Sequence, residues 1–219
     1  NSLRLLISED NHGRPREIVR LMEIVRLGQG VDATGEFAPE ALERTRKVLT
    51  KYVDLMQQER VQDVRMVATS ATRDARNKDE FFAMTAELLG QIRPGACAQV
   101  ITGEEEAKLS FIGAVAYLSK EQGPFCVIDL GGGSTEFVVG DAGGQLLGSY
   151  SSQMGCVRIS ERIMQSDPPT PEEVEAARQY VAEGLAEVQE IVPIASAKTF
   201  VGCAGTFTTI AALVLGLEK

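Results

Sequence analysis

Between two apolar runs, Phe125–Leu130 and Thr135–Val139, the chain carries three glycines and a serine: Asp129-Leu130-Gly131-Gly132-Gly133-Ser134-Thr135-Glu136. The flanks are short and rich in β-branched and aromatic residues, as strands are, and a glycine triplet continues neither of them. Asp141-Ala142-Gly143-Gly144 turns the chain a second time and Gln145–Ser151 returns, so the segment predicts a β-meander with a glycine loop at its first hairpin. A strand after the glycines excludes a dinucleotide-binding fingerprint, which needs a helix there. The lack of a following Gly-Lys-Ser/Thr excludes a Walker loop.

Around the meander, strand and helix patterns alternate, which predicts an α/β protein. Residues 3–8 read as a strand, His12-Gly13 as a turn, and 16–27 as one or two returning strands. Gly28, Gly30 and Gly35 mark a loop. A helix follows from Pro39 to about Arg60, with Leu42, Val48, Leu49, Tyr52, Val53, Leu55 and Met56 as its apolar stripe. Residues 64–69 and 97–101 read as strands, with a helix between them that Asn77 and Glu80 cap as a pair. Thr102 and Glu105 form a capping box for a helix reaching Leu118, whose apolar side is Leu109, Ile112, Val115 and Ala116. After the meander come a helix around 157–165 and a strongly signalled helix from Thr170-Pro171 to Ile191. A strand at 199–201, a turn at 202–205 and a helix at 206–215 follow. The division this suggests is 1–118 and 119–219.

Composition removes several kinds of chemistry. With 22 basic and 31 acidic residues the net charge is −9, which argues against a nucleic-acid coat or a polybasic membrane anchor. Residues 1–118 carry 16 basic and 18 acidic groups (−2), and 119–219 carry 6 and 13 (−7). The single histidine, His12, excludes a multi-histidine metal site and leaves little room for a serine or cysteine triad. Cys97, Cys126, Cys156 and Cys203 are too widely spaced for a zinc ribbon or a Cys-x-x-Cys site and read as reduced core cysteines. No apolar run is long enough to span a bilayer. The chain starts without Met inside a strand pattern, so upstream residues are expected to be missing.

Chemistry concentrates in a few segments. The backbone N–H groups of Gly131, Gly132 and Gly133, with the Ser134 hydroxyl, are suited to phosphate oxygens, and Asp129 and Glu136 on either side to a hydrated divalent metal. The plain alternative is a hairpin turn with two solvated carboxylates. Gly202-Cys203-Ala204-Gly205-Thr206 is a second glycine turn at a strand–helix junction, where amide donors gather. It also reads as a junction packed closely by glycine. Asn1 and Ser2 offer polar donors before a strand but by themselves point to nothing further, and Arg73, a cation after a strand, reads by itself as a partner in a surface ion pair. Successive helical residues point about 100° apart, so Glu104, Glu105 and Glu106 cannot all serve the helix N-terminus, and Glu106 is left for other work. Without a usable histidine, a hydrolytic base is a carboxylate or a metal-bound hydroxide.

In order along the chain, Asn1-Ser2-Leu3-Arg4-Leu5, Ala68-Thr69-Ser70-Ala71-Thr72-Arg73, Thr102-Gly103-Glu104-Glu105-Glu106-Ala107, Ile128–Glu136, Met154-Gly155-Cys156-Val157-Arg158 and Gly202–Thr206 resemble the exopolyphosphatase / guanosine pentaphosphate phosphohydrolase family. That family belongs to the actin, heat-shock ATPase and sugar-kinase superfamily. The Gly-x-Glu-Glu-Ala segment sets it apart from the kinases and actin. The resemblance implies two ribonuclease-H-like domains with a cleft between them, the second incomplete in this chain. It implies Glu106 as the base that activates water, and Asp129 and Glu136 as holders of Mg²⁺ or that water. Phosphate would be bound by Asn1, Ser2, Arg73, Gly131, Gly132, Gly133, Ser134, Gly202, Gly205 and Thr206. The implied reaction removes the terminal phosphate from inorganic polyphosphate in the cytoplasm, in a protein compatible with a homodimer and without nucleic-acid or membrane partners. Guanosine pentaphosphate is the alternative substrate, and binding of either compound without turnover the alternative function. The family's Asp-x-Gly-Ser preceding Asn-Ser, and its continuation past the last helix, are absent, so the chain is expected to be cut at both ends.

Overall fold

The structure, a computed structural model, describes residues 1–11 and 14–217, with side chains described for 1–10 and 16–217. The turn expected at His12-Gly13 lies outside the described residues. The chain divides into two compact units, Asn1–Val100 and Ile101–Lys219.

In the first unit, β1 (Ser2–Asn11) and β2 (Arg14–Ile24) form an antiparallel hairpin with a bulge between Ile7 and Ser8. Gly30 and Gly35, both left-handed, bracket a single helical turn, α1 (Val31–Thr34), where the sequence suggests only a loop. Helix α2 (Pro39–Gln58) starts on proline as expected and buries Val48, Leu49, Tyr52, Val53 and Met56. The Tyr52 hydroxyl donates to the Leu3 carbonyl at 3.2 Å, which ties the helix to β1. Strand β3 (Met66–Ala68) leads into α3 (Ser70–Asp74) and α4 (Lys78–Leu89), and β4 (Ala98–Val100) pairs parallel with β3. Asn77 does not cap α4. Its Oδ1 accepts the Phe37 N–H at 2.8 Å and its Nδ2 donates to the Phe37 carbonyl at 3.0 Å, so the side chain bridges two segments forty residues apart.

The second unit is a four-stranded sheet ordered β7-β6-β5-β8. Helix α5 (Gly103–Val115) precedes β5 (Phe125–Leu130), β6 (Thr135–Gly140) and β7 (Leu146–Ser152), which form the expected meander. Helices α6 (Cys156–Arg162) and α7 (Pro171–Ile191) follow. Strand β8 (Thr199–Cys203) then pairs parallel with β5 and runs directly into α8 (Ala204–Leu215). Thr170 and Glu173 form a complete capping box on α7. Successive strand residues face opposite sides of a sheet. Phe125, Val127 and Val138 pack with Ala107 and Phe111 of α5, while Cys126, Phe137 and Val139 pack with Val188 of α7. Strand β6 is buried along its length, as a strand covered on both faces must be.

Three expectations change. The units divide at Val100/Ile101, not at 118/119, because α5 lays Ala107 and Phe111 on the sheet of the second unit. That same contact makes Ala107 and Phe111 the buried side of α5, leaving Leu109 and Ile112 exposed. The helix also ends at Val115, short of Leu118. All four cysteines are free thiols, but only Cys126 is fully buried, and burial pushes its pKa up to about 11; Cys97 and Cys156 are exposed. No helix among the described residues is long and apolar enough to cross a membrane.

Candidate active site

The carboxylates of the meander are placed by strand alternation. On β5 the positions facing α5 are Phe125, Val127 and then Asp129; on β6 they are Glu136 and Val138. Two apolar rows thus end in acids, and the register sets Asp129 directly opposite Glu136. Helix α5 brings Glu106 to the same place. One turn further on, the Ser110 hydroxyl donates to Asp129 Oδ2. The Ser151 hydroxyl on β7 donates to Glu136 Oε1 at 2.7 Å. Gly103 lets α5 begin against Ser151: a Cβ there would lie 3.0 Å from the Ser151 Cβ.

Glu136 is only 2 % exposed. Its pKa is pushed up to about 7, by burial first and then by the negative charge of Glu106, with a smaller push from Asp129 and against the hydrogen bonds from Ser134 and Ser151. A carboxyl that titrates near neutrality and is crowded by two others is a feature of functional sites. No group of three metal-ligating side chains is gathered in metal-holding geometry among the described residues. The donors nevertheless suit Mg²⁺, which usually takes one or two carboxylates and completes its octahedron with water and phosphate oxygens.

The glycine loop is held from behind. Gly131 N–H donates to the Ser134 carbonyl at 3.0 Å and closes the turn. The first amides of α6 then take the loop's carbonyls: Cys156 N–H donates to Gly131 O at 3.0 Å, and Val157 and Arg158 N–H donate to Gly132 O at 2.9 and 3.1 Å. The Arg158 Nε donates to Gly133 O at 2.8 Å. In a planar trans peptide the N–H points opposite the C=O. The amides of Gly132, Gly133 and Ser134 therefore face away from α6, and successive amides turned to one side are an arrangement able to take an anion. This approach requires Gly155, because a Cβ there would lie 2.1 Å from Gly132 O.

The β8–α8 junction lies at the same end of the sheet, since Cys203 pairs with Asp129. Gly202 serves packing, since a Cβ there would lie 2.3 Å from the Phe207 ring, whereas a Cβ on Gly205 would meet open space. Gly205 and Thr206 open α8 and are exposed. Ala204, the first residue of α8, has φ 70°, a left-handed conformation that is costly for alanine.

Asn1, Ser2 and Arg73 belong to the first unit. The Asn1 carbonyl accepts from Val25 and Arg26 N–H at 3.0 and 2.8 Å, and its Oδ1 accepts from Gly28 N–H at 3.0 Å. The loop of Gly28 packs tightly on Asn1 and Ala71: a Cβ on Gly28 would lie 3.2 Å from Asn1 Oδ1 and 3.0 Å from the Ala71 Cβ. Asn1 and the turn that carries Arg73 are thereby brought together, with Arg73 half-buried and Ser2 exposed on β1. Four residues of the site are given no role by the sequence reading: Ser110 and Ser151, and also Gly155 and Arg158, which enter it only as part of the Met154–Arg158 motif. Ser110 is detectable as the residue one helical turn after Glu106. Ser151 requires the β6–β7 register to be known.

A sheet of this order, flanked by α5 and α7 and gathering carboxylates and a glycine loop at one end, places the chain among α/β proteins of the actin-like ATPase fold. The model of the Ppx/GppA phosphatase family matches residues 6–216. Exopolyphosphatase 2 of Mycobacterium tuberculosis is 54% identical over 217 residues, covering 97% of this chain and 67% of that protein. The crystal structure of an exopolyphosphatase-like protein superposes with a TM-score of 0.91 at 39% identity, over 100% of this chain and 67% of the other. For the Aquifex aeolicus member of the Ppx/GppA family the TM-score is 0.75 at 34% identity, covering 99% and 67%. For an exopolyphosphatase from Cytophaga hutchinsonii it is 0.85 at 28% identity, covering 97% and 66%. The chain belongs to the Ppx/GppA phosphatase family and spans about two thirds of the length of these relatives.

Proposed function

We propose that the chain carries the hydrolytic centre of an exopolyphosphatase, which removes the terminal phosphate of inorganic polyphosphate by attack of water. The observation that carries this reading is the cross-strand pair Asp129–Glu136, joined by Glu106 from α5, on either side of a loop with three amides presented in a row. The names of the relatives support polyphosphate as the substrate.

In this reading the row of amides from Gly132 to Ser134 takes the oxygens of the terminal phosphate and stabilises the charge that spreads over them in the transition state, while the Ser134 hydroxyl stays on Glu136. Glu106 orients the attacking water and accepts its proton as the new P–O bond forms. The bond to the bridging oxygen breaks, and a chain one phosphate shorter leaves. Ser110 fixes Asp129 by one hydrogen bond, and Ser151 and Ser134 fix Glu136 by two. Asp129 and Glu136 would hold Mg²⁺, which when bound supplies positive charge to the phosphate oxygens and relieves the repulsion among the three acids. Asn1, Ser2, Arg73, Gly202, Gly205 and Thr206 are proposed as further phosphate contacts on the motif match.

Phosphate release with Mg²⁺, from inorganic polyphosphate and in parallel from guanosine pentaphosphate, tests the reading. Polyphosphate is expected to be the better substrate, and Glu106→Gln to lower kcat by about a hundredfold or more. A Glu106→Gln protein that keeps its full rate would remove Glu106 as the base. Binding of polyphosphate with no release of phosphate would replace the hydrolase by a binding protein.

A further inference from the structure

We infer that Arg158 is a positioning residue for the phosphate-binding loop: it touches no phosphate, and it aims the Ser134 amide by holding the carbonyl on the other side of the same peptide. The inference rests on the phosphate-binding role proposed above for Gly132–Ser134.

Arg158 is only 8 % exposed, although arginine is seldom buried. Its Nε is directed at a main-chain oxygen, that of Gly133, at 2.8 Å. Its own N–H, with that of Val157, takes Gly132 O, and Cys156 takes Gly131 O. Three successive carbonyls of the loop are thus committed on the α6 side, two by one short helix and one by a side chain. A flexible glycine loop has many alternative peptide orientations, and each of these bonds removes some of them.

The third bond differs from the other two in carrying charge. A guanidinium on Gly133 O draws electron density towards that oxygen and makes the Ser134 N–H at the opposite end of the peptide a stronger donor. Positive charge is thereby passed to the loop's outer side without a cation reaching it. In a chain of net charge −9, this is a local means of favouring an anion. A conserved shape alone needs only the hydrogen bond, whereas the polarising role needs the bond and the charge together. Arg158→Met loses both and Arg158→Lys keeps both.

The test uses the 219-residue chain and two readouts. The first is steady-state hydrolysis of inorganic polyphosphate: Arg158→Met is expected to raise KM about tenfold while moving kcat less, and Arg158→Lys to restore most of the loss, as one charge-assisted hydrogen bond would. The second is an NMR titration with inorganic tripolyphosphate, in which the Gly132, Gly133 and Ser134 amide resonances are expected to shift together and saturably in the wild type, and at higher ligand concentration in Arg158→Met. A folded Arg158→Met with wild-type KM overturns the inference. So do loop amides that stay still while tripolyphosphate moves other resonances. Should Arg158→Met fail to fold, Arg158→Gln takes its place, since its amide can donate to Gly133 O without the charge: a raised KM with kcat moved less supports the inference, and a wild-type KM overturns it. If wild-type protein released no phosphate from polyphosphate, the exopolyphosphatase reading would fall, and the amide titration would still judge Arg158.

Discussion

Glu136 shows how a single carboxyl reports its surroundings. Burial and the charge of Glu106 hold its pKa at about 7 in the folded chain, against 4.5 in an ordinary setting. The folded state therefore binds a proton that the unfolded state has released throughout the window between those values. The stability this lends is fully present below about pH 4.5 and is lost as pH rises through about 7, at about 1.4 kcal/mol per unit of pKa difference. In Mg²⁺-free buffer the thermal midpoint of the wild type should fall across that window relative to Glu136→Gln, in which no proton is exchanged. Parallel curves for the two proteins would show that the carboxyl is not held protonated. The acidic residues at 129 and 136 were legible because they flank the glycines directly. The serines that hold them were not, since a hydroxyl reveals its partner only once the register is known.

At the scale of elements, alternation and capping chemistry predicted the most. The β-meander, the Thr170 start of α7 and the Thr102 cap of α5, whose hydroxyl accepts Glu105 N–H at 3.1 Å, all follow from local rules. The errors arose where a tertiary partner competes with a local one. Asn77 has the spacing of a cap, but the Phe37 backbone offers it two hydrogen bonds at once. On α5 two stripes compete: Leu109 and Ile112 lie on one, while Ala107, Phe111 and Val115 lie on the other, and only the position of the sheet decides that the second is covered. Asn77→Asp separates the two roles of that side chain. Aspartate caps helices as well as asparagine does, so a cap would tolerate it. The bridge loses its donor to Phe37 O and sets a carboxylate against that oxygen, which should cost about 1–3 kcal/mol in urea unfolding. An unchanged midpoint would restore the cap.

Across the whole molecule, burial is uneven, and local stability should follow it. Helix α2 has seven buried residues and α8 has none; Leu213, Val214 and Leu215 are all more than two-thirds exposed. Native-state hydrogen exchange should find α2 among the slowest amides and α8 among the fastest, because segments with few buried apolar contacts open at little cost. Equal protection of the two helices would contradict this. Domain boundaries were the least legible feature at this scale, since α5 could be assigned to a unit only after Phe111 was seen against Phe125 and Val127. The alternation that seats Asp129 and Glu136 has its own consequence for how such a chain evolves. Core side chains and acids occupy the same parity of the same two strands, so one inserted or deleted residue within either strand would turn the rows over together. Substitutions in 125–140 can be tried one at a time, but length changes within those strands cannot, and lineages of this protein should differ there in letters and not in spacing.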